Sequence, residues 1–277
     1  MRTQAEKGAA FAALHARAGA FLIPNPWDIG TARLLAHSGF EALATTSAGY
    51  AFSAGQIDNA IGRDESLAHA AEIASATDLP VSADLENCFG DSSEAAAETI
   101  RLAAKAGLAG ASIEDMPRHS PTTVYEMSHA VERVRAAAEA AHGLPFRFTL
   151  TARTENYLVG RPDLKDTIAR LQAYQAAGAD VLYAPGLTSK EDIAALVRSV
   201  NRPVNVLAVP HFSVADLAEI GVKRISVGSL LTRAAYGAFL RAAKEMRERG
   251  TFSFAAEAVS FRDLTEIFET IHSSRGM

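Results

Sequence analysis

Short apolar segments alternate with longer segments of helical periodicity along most of the chain. Eight apolar segments have the length and polar, Gly or Pro boundaries typical of buried strands. They cover residues 21–27, 41–48, 79–86, 110–115, 146–153, 180–186, 202–210 and 223–230. Between them, apolar residues recur every three or four positions, which predicts amphipathic helices. Clear examples are 66–77, 94–107, 167–178 and 213–221.

Several predicted helices end in glycine, namely Gly39, Gly107, Gly178 and Gly221. Glycine ends helices well because it adopts a left-handed backbone at little steric cost. Eight such strand–helix units with continuous apolar strands predict a parallel α/β sheet that closes into a (β/α)8 barrel of the TIM type. A doubly wound open sheet is the alternative, but NPWDIG after the first strand lacks a glycine-rich phosphate turn.

The chain continues past the last strand with residues 231–277, whose periodicity predicts two or three further amphipathic helices. A minimal barrel does not need them, so their apolar faces require another surface. We expect one domain over 1–277 with 231–277 as a C-terminal helical extension, and a homodimer or homotetramer in which the extension contacts another subunit.

Composition narrows the class of protein. The net charge of −5, with both signs interspersed, argues against a nucleic-acid partner. Apolar runs are too short for a membrane span, and the charged N-terminus does not resemble a signal peptide. The single cysteine, Cys88, cannot form an internal disulfide. These features predict a cytoplasmic protein that acts on a small molecule.

Carboxylates follow two neighbouring predicted strands. Asp84 and Glu86 end the third strand, and Glu114 and Asp115 end the fourth. Because the carboxyl ends of barrel strands converge on one mouth, these side chains should lie close together. They would repel one another unless a cation lay between them, and Mg²⁺ prefers oxygen ligands of this kind. The sequence therefore predicts a Mg²⁺ site, with Mn²⁺ as the alternative.

The same mouth should hold groups that bind a substrate. Arg153 ends the fifth strand and Asn205 lies in the seventh, while Ser47, Ala48 and Gly49 are small enough for backbone N–H groups to approach an anion. An arginine fork suits a substrate carboxylate while the acids hold the metal. A ligand with a carboxylate and a neighbouring oxygen is a 2-oxo acid. The predicted chemistry is cleavage beside a carbonyl.

Structural interpretations compete with these roles. A strand-end carboxylate can cap a helix or form an ion pair, and Asp115 is the best candidate for a structural role. Arg153 could pair with Glu114 or Glu155. His119, His211 and Cys88 also lie near strand ends, but isolated residues of these types more often serve packing.

The segments together resemble the isocitrate lyase and phosphoenolpyruvate mutase superfamily from about residue 25 to Leu230. The resemblance is carried by NPWD (25–28), TTSAGYAFSAGQID (45–58), PVSADLENCFGD (80–91), ASIED (111–115), TARTENYLVGR (151–161), ADVLYAPG (179–186), RPVNVL (202–207) and GVKRISVG (221–228). It implies a (β/α)8 barrel whose final helix is swapped between subunits, and bound Mg²⁺.

The resemblance also implies roles for individual residues. Asp84 would touch the metal directly, whereas Asp58, Glu86 and Glu114 would act largely through bound waters. Arg153, Asp58 and Glu114 are expected to take part in catalysis. The substrate would contact Ser47, Ala48, Gly49, Tyr50, Arg153 and Asn205.

Departures from the superfamily pattern favour one activity. Its lyases carry a cysteine acid in the loop after the fourth strand, and its phosphorus enzymes carry lysine and asparagine there; this chain reads MPRHSPTTVYEM. Cys88 and His211 also stand where glycines are expected. The sequence predicts a Mg²⁺-dependent lyase that cleaves a C–C bond of a small 2-oxo acid through a metal-stabilised enolate, most simply an oxaloacetate decarboxylase. The alternatives are a phosphoenolpyruvate mutase or phosphonopyruvate hydrolase, a methylisocitrate lyase, and a catalytically silent dicarboxylate-binding barrel.

Overall fold

Eight parallel strands form one sheet, surrounded by helices, in a computed structural model that describes residues 2–120 and 122–273. The strands are β1 (Phe21–Ile23), β2 (Leu43–Ala44), β3 (Val81–Asp84), β4 (Gly110–Glu114), β5 (Thr149–Arg153), β6 (Val181–Tyr183), β7 (Val204–Leu207) and β8 (Arg224–Ser226). Their spatial order is β1-β8-β7-β6-β5-β4-β3-β2. This order and the parallel pairing confirm the predicted (β/α)8 barrel.

The two ends of the sheet, β1 and β2, meet almost edge to edge. The backbone N–H of Ala44 donates to the carbonyl of Pro24 at 3.1 Å, just beyond the last residue of β1. This hydrogen bond joins the two edges, so the barrel is nearly closed.

Helices cover the outside of the barrel. They are α1 (Gln4–Ala16), α2 (Ile29–His37), α3 (Ser47–Ser53), α4 (Arg63–Ala76), α5 (Ser93–Lys105), α6 (Met127–His142), α7 (Leu164–Ala176), α8 (Lys190–Arg198), α9 (Val214–Glu219), α10 (Leu230–Arg249), a 3-10 helix (Ser253–Glu257) and α11 (Phe261–Ser273). Each glycine predicted to follow a helix has positive φ: 86° at Gly39, 88° at Gly107, 110° at Gly178 and 89° at Gly221.

Helix α1 closes the end of the barrel where the strands begin. Phe11 is fully buried and packs edge-on against Phe21, with ring centroids 6.4 Å apart. Gly8 lets α1 lie close to the segment before β5, because a Cβ at this position would be 2.1 Å from the carbonyl oxygen of Arg147. The opposite mouth, where the strands end, is therefore the end of the barrel that a ligand can enter.

The second strand is shorter than predicted. We expected it to extend over 41–48, but it ends at Ala44, and α3 begins at Ser47. The reason is local, because the Thr46 side chain accepts a hydrogen bond from the N–H of Gly49 and caps the helix. Gly49 is also required by packing, since a Cβ there would lie 2.7 Å from Oγ1 of Thr232 on α10.

The C-terminal extension consists of α10, the 3-10 helix and α11; residues 274–277 lie outside the described part of the chain. Helix α10 contacts α3, and α11 contacts α2 of the same chain. Large apolar side chains remain exposed, including Phe239 at 69% and Phe261 at 88%. Exchange of the final helix, α11, between subunits stays a prediction. Within the described residues, no helix has the length and apolarity needed to cross a membrane.

Candidate active site

Three predicted site residues meet at the mouth of the barrel because they end adjacent strands. Asp84 ends β3, Glu114 ends β4 and Arg153 ends β5, with Glu114 and Arg153 directly paired in the strand register. Nη1 of Arg153 lies 3.6 Å from Oδ1 of Asp84 and 3.4 Å from Oε2 of Glu114. The structure thus places the guanidinium between two carboxylates, as the strand-end argument predicts.

The orientation of Arg153 is fixed by two further side chains. Both oxygens of Glu155 accept from it, with Nη2 at 3.0 Å from Oε2 and Nε in contact with Oε1. The guanidinium also lies over the Tyr183 ring, 5.3 Å from its centroid. Burial disfavours the charged form of Arg153, but the carboxylates of Glu155, Glu114 and Asp84 outweigh burial and raise its pKa. Arg153 is therefore a fixed cation.

Asp84 and Asp58 lie on either side of Ser47. Oδ2 of Asp84 accepts from Oγ of Ser47 at 3.1 Å and from its backbone N–H at 3.3 Å. Ser47 also lies close enough to Asp58 to lower the pKa of that carboxyl. Burial and the neighbouring Asp84 charge raise the pKa of Asp58. The loop after β2 therefore brings Asp58 to the same acidic region, as predicted.

Glu86 is held by an arginine that sequence reasoning missed. Nε of Arg118 lies 2.9 Å from Oε2 of Glu86, and its Nη2 donates to the carbonyls of Ile61, at 2.6 Å, and Asn59. Burial raises the pKa of Glu86 to about 7, with Arg118 opposing and Asp84 adding to the rise. The backbone of Glu86 is left-handed, with φ of 50°, which is strained for a non-glycine residue.

We call the four predicted metal-site carboxylates, Asp58, Asp84, Glu86 and Glu114, the acidic cluster. Burial raises the pKa of Glu114 well above its usual value, and Arg153 only partly offsets this. With Glu155, five carboxylates face two guanidinium groups, those of Arg153 and Arg118. Oε2 of Glu86 is buried and has the Arg118 ion pair as a partner, but no contact with the geometry of a hydrogen bond. This excess of negative, oxygen-only groups fits a hard divalent cation.

The acidic cluster does not form a complete coordination shell by itself. Among the described residues, no three His, Cys, Asp or Glu side chains are grouped closely enough to hold a metal ion. A cation here would have few direct protein ligands and would keep several waters, as Mg²⁺ usually does. That arrangement fits the expectation that Asp84 binds directly and the other three act through water.

A small cavity is lined in part by Asp84 and Arg153. Its volume is about 70 Å³, enough for a few water molecules or a small acid group. Its polar lining includes Asp84, Ser112, Arg153, Tyr183, Asn205, Arg224 and Ser226. A ligand that entered it would contact Arg153 and Asp84 at once.

Part of the cavity wall is a hydrogen-bonded network around Asn205. Asn205 is the one residue of this network that the sequence analysis identified. Asn205 donates to Oγ of Ser226 at 3.0 Å and accepts from Nε of Arg224 at 2.9 Å. Arg224 also donates to Oγ1 of Thr151 at 2.9 Å. Ser226 also lies close enough to the Tyr183 phenol to oppose the rise in its pKa that burial causes. Alternation of inward positions along the last strands was the signal that could have found these residues.

The predicted substrate-binding segment 47–50 forms the first turn of α3. Ser47 and Ala48 occupy the start of the helix, where backbone N–H groups have no partner within the helix. Gly49 donates instead to the capping Thr46, at 3.1 Å. Tyr50 stacks on His69 at 3.7 Å and donates to Glu65, so its ring faces α4 and not the cavity. Ala48 is the member of this segment best placed for an anion, because the N–H and hydroxyl of Ser47 already donate to Asp84.

Asp115 has the structural role expected of it. Its carboxylate accepts from Oγ1 of Thr154 at 2.9 Å, from the backbone N–H of Glu155 at 2.9 Å and from the Tyr174 hydroxyl at 2.6 Å, and it pairs with Arg170 at 3.2 Å. These contacts fix the backbone next to Arg153. Asp115 therefore supports the site without facing the cavity.

Cys88, His119 and His211 do not line the cavity. Cys88 is buried, and burial raises the pKa of its thiol to about 12, so it is a packing residue with left-handed backbone. His119 is exposed, 3.7 Å from Asp91, and His211 contacts the carbonyl of Thr188 at 3.0 Å.

Residues 11–247 match the family model described as phosphoenolpyruvate phosphomutase. The chain belongs to this family. Its wider relatives are the lyases and mutases of the isocitrate lyase and phosphoenolpyruvate mutase superfamily, as the motifs indicated. The family therefore includes both carbon–carbon and phosphorus chemistry.

Individual relatives span several activities. A Burkholderia cenocepacia J2315 protein described only as a lyase/mutase shares 61% identity and has a TM-score of 0.94, covering 96% of this chain and 97% of that one. The 2-methylisocitrate lyase of Escherichia coli (strain K12) is 28% identical over 96% of this chain and 92% of its own length. An oxaloacetate decarboxylase of Chromohalobacter salexigens is 27% identical, with the same coverage of 96% and 92%.

Proposed function

We propose that the protein is a divalent-cation-dependent lyase that cleaves a C–C bond of a small 2-oxo dicarboxylate, with decarboxylation of oxaloacetate as the reaction that fits best. The observation that carries this proposal is the placement of Arg153 between Asp84 and Glu114 above a cavity of about 70 Å³. Similarity to an oxaloacetate decarboxylase over 96% of the chain supports it.

The cation, Mg²⁺ or Mn²⁺, would be held by Asp84, with Asp58, Glu86 and Glu114 around its waters. When bound, it supplies positive charge that stabilises negative charge on a carbonyl oxygen of the substrate. Arg153 binds the substrate carboxylate, and its fork is already oriented by Glu155. The backbone N–H of Ala48, at the start of α3, provides a further donor to an anion.

The cavity favours a small substrate over the larger tricarboxylates. A volume of about 70 Å³ admits one acid group and its neighbouring carbonyl without rearrangement of the barrel. The loop after β4 also presents Arg118 and His119 where the superfamily's lyases have a cysteine acid. Both features weigh against a methylisocitrate lyase.

Phosphorus chemistry is the second candidate, because the matching family model is that of a phosphomutase. The loop after β4 lacks the lysine and asparagine that the phosphorus enzymes carry, although Arg118 supplies a cation there. A silent dicarboxylate-binding barrel would keep the same ligand contacts without turnover.

A substrate panel separates these functions. Oxaloacetate, phosphonopyruvate, methylisocitrate and related 2-oxo acids would be incubated with the protein in Mg²⁺ and in EDTA, with products identified by NMR. We expect Mg²⁺-dependent pyruvate formation from oxaloacetate above the protein-free rate. Phosphate release from phosphonopyruvate would instead establish the second function. Binding of these acids without consumption would indicate the silent barrel.

A further inference from the structure

The reaction proposed above leaves one chemical step without a residue. When the C3–C4 bond of oxaloacetate breaks, CO₂ leaves and the electron pair remains on the substrate as the enolate of pyruvate. A proton must then be delivered to C3. The cysteine that superfamily lyases place after β4 is absent, and the one cysteine of the chain, Cys88, is buried away from the cavity.

Tyr183 is the phenol that lines the cavity. It ends β6, where the register pairs it with Arg153 on one side and Asn205 on the other. Its ring lies against the guanidinium of Arg153, 5.3 Å from Cζ to the ring centroid. Tyr183 therefore borders the same small space as the arginine that binds the substrate carboxylate.

Arg224 supplies a second cation beside Tyr183. It is only 5% exposed, and no carboxylate in the described part of the chain forms an ion pair with it. Its hydrogen bonds go to neutral oxygens, those of Asn205 and Thr151, and its Nη1 has no hydrogen-bond partner. Burial lowers its pKa to about 10, and interaction with the Tyr183 phenol partly opposes that shift.

A buried cation without an acidic partner is costly, so its retention calls for a transient anion nearby. A phenolate at Tyr183 would be that anion, since it would lie near both Arg224 and Arg153. The hydrogen bonds that Arg224 and Ser226 make to Asn205 hold both side chains in the wall of the cavity that Tyr183 lines, where they would favour its phenolate. Neutral tyrosine would then be the resting form and phenolate the short-lived one.

We propose that Tyr183 is the catalytic proton donor to the enolate, and that Arg224 is a positioning residue that acts through it. The O–H bond of Tyr183 breaks as the C3–H bond of pyruvate forms. The resulting phenolate then takes a proton from water, which leaves hydroxide and restores the phenol. This inference rests on the proposed function, because it requires an enolate in the cavity.

The test uses the reverse of the protonation step. An enzyme that protonates the enolate also exchanges the methyl hydrogens of pyruvate with D₂O, which ¹H NMR detects without any decarboxylation. The Tyr183→Phe variant should lose about 10²–10⁴-fold in exchange rate, the usual contribution of a general acid. Its affinity for oxalate with Mg²⁺, measured by calorimetry, should equal that of the wild type. Tyr236→Phe makes the same chemical change on α10, outside the cavity, and should exchange normally.

Arg224 is tested through its dependence on Tyr183. Arg224→Met should exchange about 10²-fold more slowly, as expected when an anion loses its preorganised donor, while Arg224→Lys recovers part of that loss. The double variant Arg224→Met with Tyr183→Phe should exchange no more slowly than Tyr183→Phe alone, because both substitutions remove the same function. A purely structural role for Arg224 would instead give additive losses.

Failure of this inference differs from failure of the proposed function. Wild-type exchange rates in Tyr183→Phe, alongside Mg²⁺-dependent consumption of oxaloacetate, would overturn the role of Tyr183 and leave the lyase function standing. The same holds if the wild type consumes oxaloacetate but shows no pyruvate exchange. No turnover on any acid of the panel would overturn the lyase function, and the role of Tyr183 with it.

Discussion

Nε of Arg118 lies 2.9 Å from Oε2 of Glu86. This contact ties the loop after β4 to the loop after β3 above the acidic cluster. Arg118 also donates to the carbonyls of Asn59 and Ile61, in the segment between α3 and α4. One side chain therefore fixes the relative positions of three loops that surround the mouth.

Replacement of Arg118 should loosen this arrangement. We expect Arg118→Gln to raise the KM for the substrate and to speed proteolytic cleavage in the loop after β4, because Glu86 loses its buried ion-pair partner. Arg161→Gln, at an exposed arginine in the loop after β5, is the matched control. Unchanged KM and cleavage in Arg118→Gln would show that the loops hold their positions without it.

Glu86 should destabilise the metal-free protein at high pH. In the folded protein its pKa is about 7, above the ordinary 4.5, so folding favours the protonated carboxyl. Its stabilising contribution is therefore complete below pH 4.5 and is lost as the pH rises through 7. In EDTA at pH 8, Glu86→Gln should raise the free energy of unfolding by up to about 3 kcal/mol, and the gain should shrink toward pH 4.5.

Urea unfolding with and without Mg²⁺ measures this effect. Mg²⁺ should stabilise the wild type more than Glu86→Gln, because the variant has one fewer carboxylate near the ion. Glu132→Gln, at an exposed position on α6, controls for the loss of a charge. Equal stability of Glu86→Gln and the wild type in EDTA at pH 8 would contradict the assigned pKa.

Sequence reasoning identified the strands and the acidic cluster because both depend on local pattern. Sequence reasoning identified Asp84, Glu114 and Arg153 because the C-terminal ends of all strands in a parallel barrel lie at one mouth, whatever the exact strand boundaries. Arg118 was missed because its partners, Glu86 and Ile61, lie in other loops whose paths the pattern does not determine. Arg224 was missed for a different reason: it is the first residue of its strand, and the stagger between strands that pairs it with Asn205 is not evident from the sequence pattern.

His15 should make stability fall in acid. Burial lowers its pKa from 6.5 to about 3, with the nearby Arg224 charge adding to the effect. The neutral ring is therefore favoured in the folded protein, and stability is lost as the pH falls from 6.5 toward 3. Between pH 7 and pH 5 this residue should remove about 2 kcal/mol of the free energy of unfolding.

Comparison with His15→Gln isolates this contribution from those of other titrating groups. Urea unfolding of both proteins at pH 7 and pH 5 gives the difference directly. The variant should lose less stability over this range than the wild type. Parallel losses in the two proteins would mean that His15 is free to take up a proton in the folded state.

We propose that the C-terminal extension joins subunits into a homodimer or homotetramer. Phe239, Leu240, Phe252 and Phe261 are each at least 65% exposed in the single chain, an unusual amount of apolar surface for one segment. Light scattering after size exclusion should show an oligomer, and Phe239→Ser combined with Phe261→Ser should weaken it. Val214→Ser, at an exposed apolar residue on α9, should leave the mass unchanged. A monomeric wild type would refute this assembly.

The proposed function requires Asp84 and Arg153 to act together on a 2-oxo acid beside a divalent cation. The most direct measurement compares Mg²⁺-dependent pyruvate formation from oxaloacetate by the wild type and by Asp84→Asn. Asp64→Asn is the control, at an aspartate of α4 whose side chain is 88% exposed. We predict that Asp84→Asn loses about 10²–10⁴-fold in rate while Asp64→Asn matches the wild type. Equal rates for Asp84→Asn and the wild type would contradict the account.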